Sequence, residues 1–504
     1  MKNYFSCFYA ILFISIFANS LKAQIVPRAR AIEPVPSSSE LEWQQMERNM
    51  FCHFGPNTFT GKEWGDGTEI EDVFNPTNLN CRQWTEVAKK AGFKGIILTA
   101  KHHDGFCLWP NPMSEHTVAQ SVWEKGKGDV LRDLSAACRH SGMKFGIYIS
   151  PWDRNAPTYG TSAYNNVFLK TLESALSHYG SVFEQWFDGA CGEGPNGKRQ
   201  VYDWQAFNAQ VAKLQPQAVI FSDVGPGCRW VGNEKGCAGQ ICWSRLDVDG
   251  FAPGAAAPST DTLTTGNIRG KYWIPAEADV SIRKGWFYRE SEHPKTLQQL
   301  LEIYYSSVGR NALLLLNVPP DQRGWIPAED SIRLMEFRAA LDTIFAQNLA
   351  QNAEYVCASN IRGAQPDQYS YWRSMLNNYL PTGNDDIYGA KNLLLSYYHS
   401  YWAVDDTVQT ASVILKFNHP QTFNRVLLQE YIPLGQRIAK FHFDILLDDG
   451  TWKTVASEFT IGYKRILLIP TCTTRAVRLT IDESLAPPVL NQLGLYYDTI
   501  YEGE

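Results

Sequence analysis

Residues 95–106 have the sequence GIILTAKHHDGF, an apolar run followed at once by a polar cluster. The run 95–100 predicts a buried strand that ends where the polar residues begin. Similar apolar runs recur at 144–150, 182–187, 218–222 and 312–318, and another strand is predicted near 50–52. Amphipathic helical patterns lie between them, at 82–91, 129–141, 162–179, 202–214 and 294–307. This alternation predicts parallel βαβ units, and their number favours a closed barrel over an open sheet.

The pattern changes after about residue 350, where helical periodicity gives way to short segments rich in β-branched and aromatic residues. These segments are 413–417, 425–429, 440–447, 451–457, 464–470 and 476–481. Turn signals such as Asp448-Asp449-Gly450 separate them, which is typical of an antiparallel β-sandwich. Residues 359–407 are assigned to its first strands and long loops. The predicted fold is therefore α/β, with a (β/α)8-like barrel in 24–348 and a β-sandwich in 349–504.

The first 23 residues are typical of a secretory signal peptide. Lys2 gives a short basic start, residues 5–18 are mostly apolar, and Ala23 precedes Gln24 at the expected cleavage point. The apolar run is too short for a stable transmembrane helix. We therefore expect an exported protein, periplasmic or extracellular, with no membrane span in the mature chain.

The overall composition restricts the class of partner. The 504 residues carry a formal net charge of −6 and no basic patch, which argues against nucleic acid. Of 11 cysteines, Cys228, Cys237 and Cys242 lie close together, and either a disulfide or a thiol-ligand site is compatible with their spacing. No paired C-x-x-C is present, and we predict no metal and no organic cofactor.

Polar residues follow the predicted strands, where the active site of a (β/α) barrel lies. His53 follows the first strand, His102 and His103 follow 95–100, and Asp188 follows 182–187. A carboxylate placed after the aromatic run 182–187 is costly unless it is hydrogen-bonded or catalytic. Neighbouring strand residues point to opposite sides, so His102 and His103 are poorly arranged to ligate one ion together.

Other candidates have ordinary structural explanations as well. Glu234 alone is an unremarkable loop acid, and Trp64, Trp152 and Trp286 are the kind of residue that often serves only in packing.

Several motifs occur in an order that resembles the α-L-fucosidases of glycoside hydrolase family twenty-nine. These motifs are His53-Phe54-Gly55, Glu63-Trp64-Gly65, Lys101-His102-His103-Asp104-Gly105-Phe106 and Trp186-Phe187-Asp188-Gly189. The resemblance covers residues 40–345. Residues 425–497 also resemble the discoidin-like sandwich attached to many members, for which carbohydrate binding is an open role.

The resemblance implies an exo-acting retaining α-L-fucosidase that forms a covalent fucosyl-enzyme on Asp188 and acts on fucosylated oligosaccharides or glycoconjugates. Residues 229–234, RWVGNE, are similar to the subgroup that prefers α-1,3- and α-1,4-linked fucose, in which Glu234 is the acid/base. The family pattern also implies substrate-binding roles for His53, Glu63, Trp64, His102, His103, Tyr148, Trp152 and Trp286.

The sequence leaves other interpretations open. Glycosidic cleavage needs two carboxyl groups, and their separation, about 5 Å for retention and wider for inversion, does not follow from sequence. If Glu234 is not the acid/base, Glu277 or Glu290 could serve. The alternatives are another barrel exo-glycosidase, a non-catalytic fucose-binding protein, or an adhesion protein that works through its sandwich.

Overall fold

The computed structural model describes residues 26–364, 380–381, 387–395 and 397–501. The predicted signal peptide, residues 1–23, and part of the segment 359–407 lie outside these described residues. Within the described ranges, no helix has both the length and the apolar character needed to cross a membrane.

Eight strands close into a barrel, and every neighbouring pair is parallel, including the first with the eighth. In chain order the barrel strands are Arg48–Cys52, Gly95–Lys101, Lys144–Ile149, Glu184–Trp186, Val219–Ser222, Cys228–Trp230, Ala276–Ser281 and Ala312–Asn317. The predicted barrel is confirmed. Two of its strands, Cys228–Trp230 and Ala276–Ser281, were not predicted, since one is very short and the other carries two acids.

Helices cover the outside of the barrel, and the five predicted helices begin and end close to the predicted positions, whereas Ser38–Met46, Pro56–Thr60, Thr260–Thr265 and Ala328–Ile344 were not predicted. The α-helices are Ser38–Met46, Pro56–Thr60, Cys81–Lys90, Val130–Ser141, Ser162–Leu176, Trp204–Leu214, Thr260–Thr265, Leu297–Ser306 and Ala328–Ile344. Local sequence explains their limits. Asp129, for example, caps the helix Val130–Ser141 through the N–H of Arg132, and Gly142 ends it in the left-handed region at φ 71°.

The connections around the sixth strand depart from a regular βαβ repeat. Only residues 223–227 join the fifth strand to the sixth, with no helix between them. The next connection, residues 231–275, is long and contains the helix Thr260–Thr265 and a short antiparallel pair, Arg245–Leu246 with Tyr272–Trp273. This long connection places Glu234 at the end of the barrel where the carboxyl ends of the strands lie.

The C-terminal part is an antiparallel β-sandwich, as predicted. Its strands are Ala353–Ala358, Leu380–Pro381, Trp402–Ala403, Ala411–Glu430, Ile438–Leu446, Trp452–Phe459, Arg465–Ser484 and Val489–Tyr496. The prediction of separate strands at 413–417 and 425–429 was wrong, as was that of separate strands at 464–470 and 476–481. Each pair forms one strand of 20 residues, and the two strands stay paired through register shifts between Lys416 and Gln421 and between Phe423 and Arg425, where turns were expected.

The sandwich contacts the barrel at the N-terminal ends of its strands. Asn311, just before the eighth strand, accepts the N–H of Tyr463 at 2.7 Å and donates to the carbonyl of Cys242 at 2.9 Å. Glu47, just before the first strand, pairs with Lys464. Gly462 lies against Asn311 at φ 65°, so closely that a methyl group would collide with the amide.

This contact predicts a specific loss of stability for Gly462→Ala. The matched control is Gly450→Ala, since Gly450 also has a positive φ, of 84°, but has no neighbour within 4 Å of an added Cβ. The control should lose about 1–2 kcal/mol of unfolding free energy through backbone strain alone. Gly462→Ala should lose a further ~1–3 kcal/mol through the collision. If denaturant titrations show that the two variants lose equal amounts of unfolding free energy, the close contact between Gly462 and Asn311 does not contribute to the loss.

Candidate active site

A cavity of about 160 Å³ opens at the C-terminal ends of the barrel strands. Its wall is formed by Phe51, His53, Trp64, His102, His103, Tyr148, Trp186, Asp188, Ala190, Glu234, Asp279 and Trp286. The volume is below the ~300–1,000 Å³ typical of sites for drug-sized ligands. It therefore suits a small ligand, and the wall combines aromatic faces with three carboxyl groups.

Asp188 is held in one orientation at the end of the fourth strand. Its Oδ2 accepts the Tyr148 hydroxyl at 3.0 Å and lies 3.6 Å from Nε2 of His103. Its Oδ1 accepts the backbone N–H of Ala190 at 2.8 Å. A carboxylate fixed in this way is preorganised to act on an atom in the cavity.

Glu234 lies on the open side of the cavity and is exposed. The indole N–H of Trp286 reaches its Oε2 at 3.4 Å. Desolvation by the surrounding protein raises the pKa of Glu234, and the negative charges of Asp188 and Glu63 raise it further. Glu234 therefore keeps its proton to a higher pH than an ordinary glutamic acid does.

The three histidines of the wall are buried and neutral. Desolvation lowers the pKa of His53 to about 3 and that of His103 to about 4, and it lowers that of His102 well below its usual value. Oδ1 of Asn317 lies 2.9 Å from Nδ1 of His53 and accepts its backbone N–H at 3.1 Å. Neutral imidazoles can donate and accept hydrogen bonds, as recognition of sugar hydroxyl groups requires.

The tryptophans occupy different positions around the cavity. Trp286 lies in the wall with its ring 4.9 Å from that of His53, and Trp64 is 55% exposed at the mouth. Trp152 lies behind the wall, with its ring 4.8 Å from that of His103 and 5.6 Å from that of Trp64. We infer that Trp152 supports the wall.

Glu63, like Trp152, lies beside the cavity and does not form part of its wall. Its carboxylate accepts the backbone N–H of Trp286 at 2.6 Å and a guanidinium N–H of Arg289 at 2.8 Å. These bonds fix the loop that carries Trp286. The structure therefore brings eight of the ten predicted site residues into one wall and places Glu63 and Trp152 as their neighbours.

Sequence reasoning missed several residues of the site, namely Phe51, Trp186, Ala190, Asp279 and the supporting Asn317. Asp279 belongs to the seventh strand, where Ala276 and Ala278 alternate with Glu277 and Asp279. Alternation of small and acidic residues is a strand pattern in which one face carries carboxyl groups. This pattern could have identified Asp279 as a candidate site residue from the sequence.

Below the cavity, Glu184, Cys228 and Glu277 are buried with potential ligand atoms within 4.8 Å of one another. Trp43 donates to Glu184 at 2.7 Å and Trp186 donates to Glu277 at 2.8 Å, so each acid already has a partner. Burial raises the pKa of Glu184 to about 7 and that of Glu277 well above its usual value. Protons shared by this pair account for the cluster without an ion, and the absence of a metal stays a prediction.

The cysteine cluster of the sequence forms no disulfide. Cys228, Cys237 and Cys242 are free, as are the other cysteines of the described residues.

Comparison with known proteins identifies the family. The family model for α-L-fucosidase matches residues 31–342. The chain belongs to the α-L-fucosidase family. "Alpha-L-fucosidase 1" of Arabidopsis thaliana is 42% identical over 497 residues, which cover 98% of this chain and 93% of that protein. Activity as an α-L-fucosidase, a glycoside hydrolase, follows from this similarity over nearly the whole chain.

Solved structures agree with this assignment and with the fold. The crystal structure of SpGH29 has a TM-score of 0.84 and 36% identity, over 94% of this chain and 100% of its own. A Ruminococcus gnavus family twenty-nine fucosidase in complex with fucose has a TM-score of 0.82 and 30% identity, over 95% and 98%. The predicted family and barrel-plus-sandwich fold are both confirmed.

The contacts of Asn317 predict that Asn317→Ala weakens fucoside hydrolysis. Asn317 holds His53 and also donates to the carbonyl of Trp286 at 2.8 Å, so its loss should free two residues of the fucosidase pocket. We expect kcat/KM for an aryl fucoside to fall about 10- to 100-fold. Asn352→Ala, which removes an exposed amide in the sandwich, is the control and should have no effect. Unchanged kinetics of Asn317→Ala would show that the bond to His53 does not matter for catalysis.

Proposed function

We propose that the protein is an exo-acting, retaining α-L-fucosidase in which Asp188 is the nucleophile and Glu234 is the acid/base. The observation that carries this proposal is the unequal setting of two carboxyl groups in one small cavity. Asp188 is fixed by three neighbours, whereas Glu234 is on the open side with a raised pKa. Retaining glycosidases need one ionised carboxylate at the anomeric carbon and one protonated acid at the leaving group.

In the first step, an oxygen of Asp188 bonds to the anomeric carbon of fucose. The bond from that carbon to the glycosidic oxygen breaks, and the proton of Glu234 passes to this oxygen. The products are the freed glycan alcohol and a fucosyl ester on Asp188, and Glu234 is left as a carboxylate.

In the second step, Glu234 takes a proton from water while the water oxygen attacks the anomeric carbon. The ester bond breaks, which regenerates the Asp188 carboxylate and the protonated Glu234. Two inversions give fucose with retained configuration. Asp188 carries no charge while it is an ester, so it does not repel the Glu234 carboxylate between the two steps.

The closed base of the cavity supports exo action. Phe51 and Trp186 line its inner end, and below them the barrel is filled with buried side chains, mostly apolar, together with the acids Glu184 and Glu277. One terminal sugar can therefore enter, while the remaining glycan stays at the open side beside Glu234 and Trp64. The three neutral histidines and Trp286 are proposed to bind the hydroxyl groups and apolar face of that sugar.

We further propose a preference for α-1,3- and α-1,4-linked fucose on branched glycans. The support is the segment 229–234 together with the position of Glu234 at the start of the long connection 231–275. A branch beside the fucose would contact this side of the mouth, and binding there can lower the transition-state energy.

Export to the periplasm or the cell exterior stays a proposal that rests on residues 1–23. A mature N-terminus at Gln24 would support it, whereas an intact N-terminus on the protein purified from its native cells would oppose it. The division into a barrel domain at 24–348 and a sandwich domain at 349–504 is likewise proposed, and limited proteolysis would test it.

The two carboxyl groups should respond differently to removal and to azide. Asp188→Ala should lower kcat by roughly 10⁴-fold or more, and azide should give the β-fucosyl azide because only one inversion remains. Glu234→Ala should lose about 10²–10⁴-fold on natural glycans but keep its first step on activated aryl fucosides. Azide should then give the α-fucosyl azide, as identified by NMR.

The matched control for these two variants is Glu290→Ala. Glu290 is an exposed acid outside the cavity wall and should be dispensable. If Glu290→Ala instead shows the azide rescue and Glu234→Ala is near wild type, the acid/base assignment is wrong.

The linkage preference predicts that Lewis-type trisaccharides have a kcat/KM at least about tenfold above that of unbranched 2-linked fucosyl oligosaccharides. Released fucose is measured at equal enzyme concentration, with aryl fucoside, galactoside and xyloside as reference substrates. A reversed order among the oligosaccharides would refute the linkage preference. Faster turnover of the galactoside or xyloside than of the fucoside would refute fucose as the preferred sugar.

A further inference from the structure

A third carboxyl group, that of Asp279, lies in the cavity wall with Asp188 and Glu234. The seventh strand, Ala276–Ser281, directs this side chain inward, and the residue is only 4% exposed. Its Oδ1 accepts the indole N–H of Trp230 at 2.9 Å. Neither step of the proposed mechanism uses this acid.

The charged groups that face Asp279 are themselves acids. Glu234 and Asp188 lie across the cavity, and Glu277 precedes it by two residues on the same strand. No lysine or arginine pairs with Asp279 among the described residues, and the histidines of the wall are neutral. A negative charge at this position would be buried without compensation.

Burial raises the pKa of Asp279 well above its usual value, and the charges of Glu234 and Asp188 raise it further, while the hydrogen bond from Trp230 lowers it. A buried acid without a cationic partner favours its protonated form. Since Trp230 donates to Oδ1, the proton belongs on the other oxygen, Oδ2, which leaves an O–H group available to a ligand in the cavity.

We propose that Asp279 binds the sugar as a neutral hydrogen-bond donor, with its O–H directed to a hydroxyl or ring oxygen of the fucosyl unit. This inference rests on the proposed roles of Asp188 and Glu234. It gives the three acids of the wall three different tasks: one is ionised and attacks, one transfers a proton, and one keeps its proton throughout. A neutral third acid adds a hydrogen bond without adding a charge that would oppose the ionisation of Asp188.

The first test compares Asp279→Asn with Asp279→Ala on an activated aryl fucoside. An asparagine amide can still accept from Trp230 and donate to the sugar, whereas alanine can do neither. We expect Asp279→Ala to lose about 10- to 100-fold in kcat/KM and Asp279→Asn to lose less than about fivefold. Thermal unfolding of both variants shows whether a loss of fold contributes.

Trp230→Phe separates sugar binding from a purely structural role. It removes the indole N–H but leaves the carboxyl group of Asp279 in place. If Asp279 serves only to hold Trp230, this variant should be as defective as Asp279→Ala, and that result would overturn the proposal. A much smaller loss for Trp230→Phe supports it.

The pH profile provides a readout that packing alone would not change. An activated aryl fucoside needs no proton from Glu234, so its kcat/KM should decline on the alkaline side as Asp279 loses its proton. A group with a raised pKa is neutral below that pKa and charged above it, so the function is lost as the pH rises. Asp279→Asn cannot ionise and should lack this decline.

Three results would reject a neutral donor at Asp279: full activity of Asp279→Ala, equal defects in both Asp279 variants, or an unchanged alkaline decline in Asp279→Asn. Azide separates this failure from failure of the proposed mechanism. If azide restores Asp279→Ala with formation of the α-fucosyl azide, Asp279 is the acid/base and the assignment of Glu234 fails. Without such rescue, only the role of Asp279 is in question.

Discussion

The structure depends on one recurring interaction, an aromatic N–H or O–H group donated to a carboxyl group that the barrel encloses or borders. The pairs are Trp43 with Glu184, Trp186 with Glu277, Trp230 with Asp279, Trp286 with Glu234, and Tyr148 with Asp188. A buried carboxyl group without a partner costs several kcal/mol. Aromatic side chains satisfy that need while they also fill the barrel interior, so the acids can lie where apolar packing would otherwise exclude them.

This arrangement makes the barrel core and the active site a single packed unit. Trp186 lines the cavity, donates to Glu277 below it, and stacks on Phe221 with ring centroids 3.9 Å apart. Tyr148 stacks on Trp186 at 5.1 Å and donates to Asp188 from the same position. The proposed nucleophile Asp188 is thus positioned by residues that cannot move without disturbing the core. The sandwich contacts the opposite end of the barrel and leaves this unit undisturbed.

Much of the barrel and of its candidate site could be predicted from the sequence, because apolar strands followed by polar residues indicate both the barrel and the end at which its site lies. The strand Ala276–Ser281 was not predicted, because Glu277 and Asp279 interrupt the apolar pattern expected of a buried strand. These two acids also connect the site to the core. The positions of Glu63 and Trp152 behind the wall could not be predicted, because a motif does not show which way a loop side chain faces. In the sandwich, a shift of register at Lys416 looks like a turn in the sequence but continues the strand.

Desolvation raises the pKa of several acids in and around the barrel. Glu184 and Glu277 are fully buried and close together, so burial raises the pKa of both, and the charge of Glu184 raises that of Glu277 further. Asp279 is buried at the level of the cavity wall with its pKa raised well above the usual value, and the exposed Glu234 also has a raised pKa. Each proton kept by these acids removes a charge that would oppose the ionised form of Asp188. A retaining mechanism needs one charged and one protonated carboxyl group at neutral pH. In the proposed mechanism the charged group is Asp188, held by hydrogen bonds from Tyr148 and Ala190, and the protonated group is Glu234, whose pKa is raised.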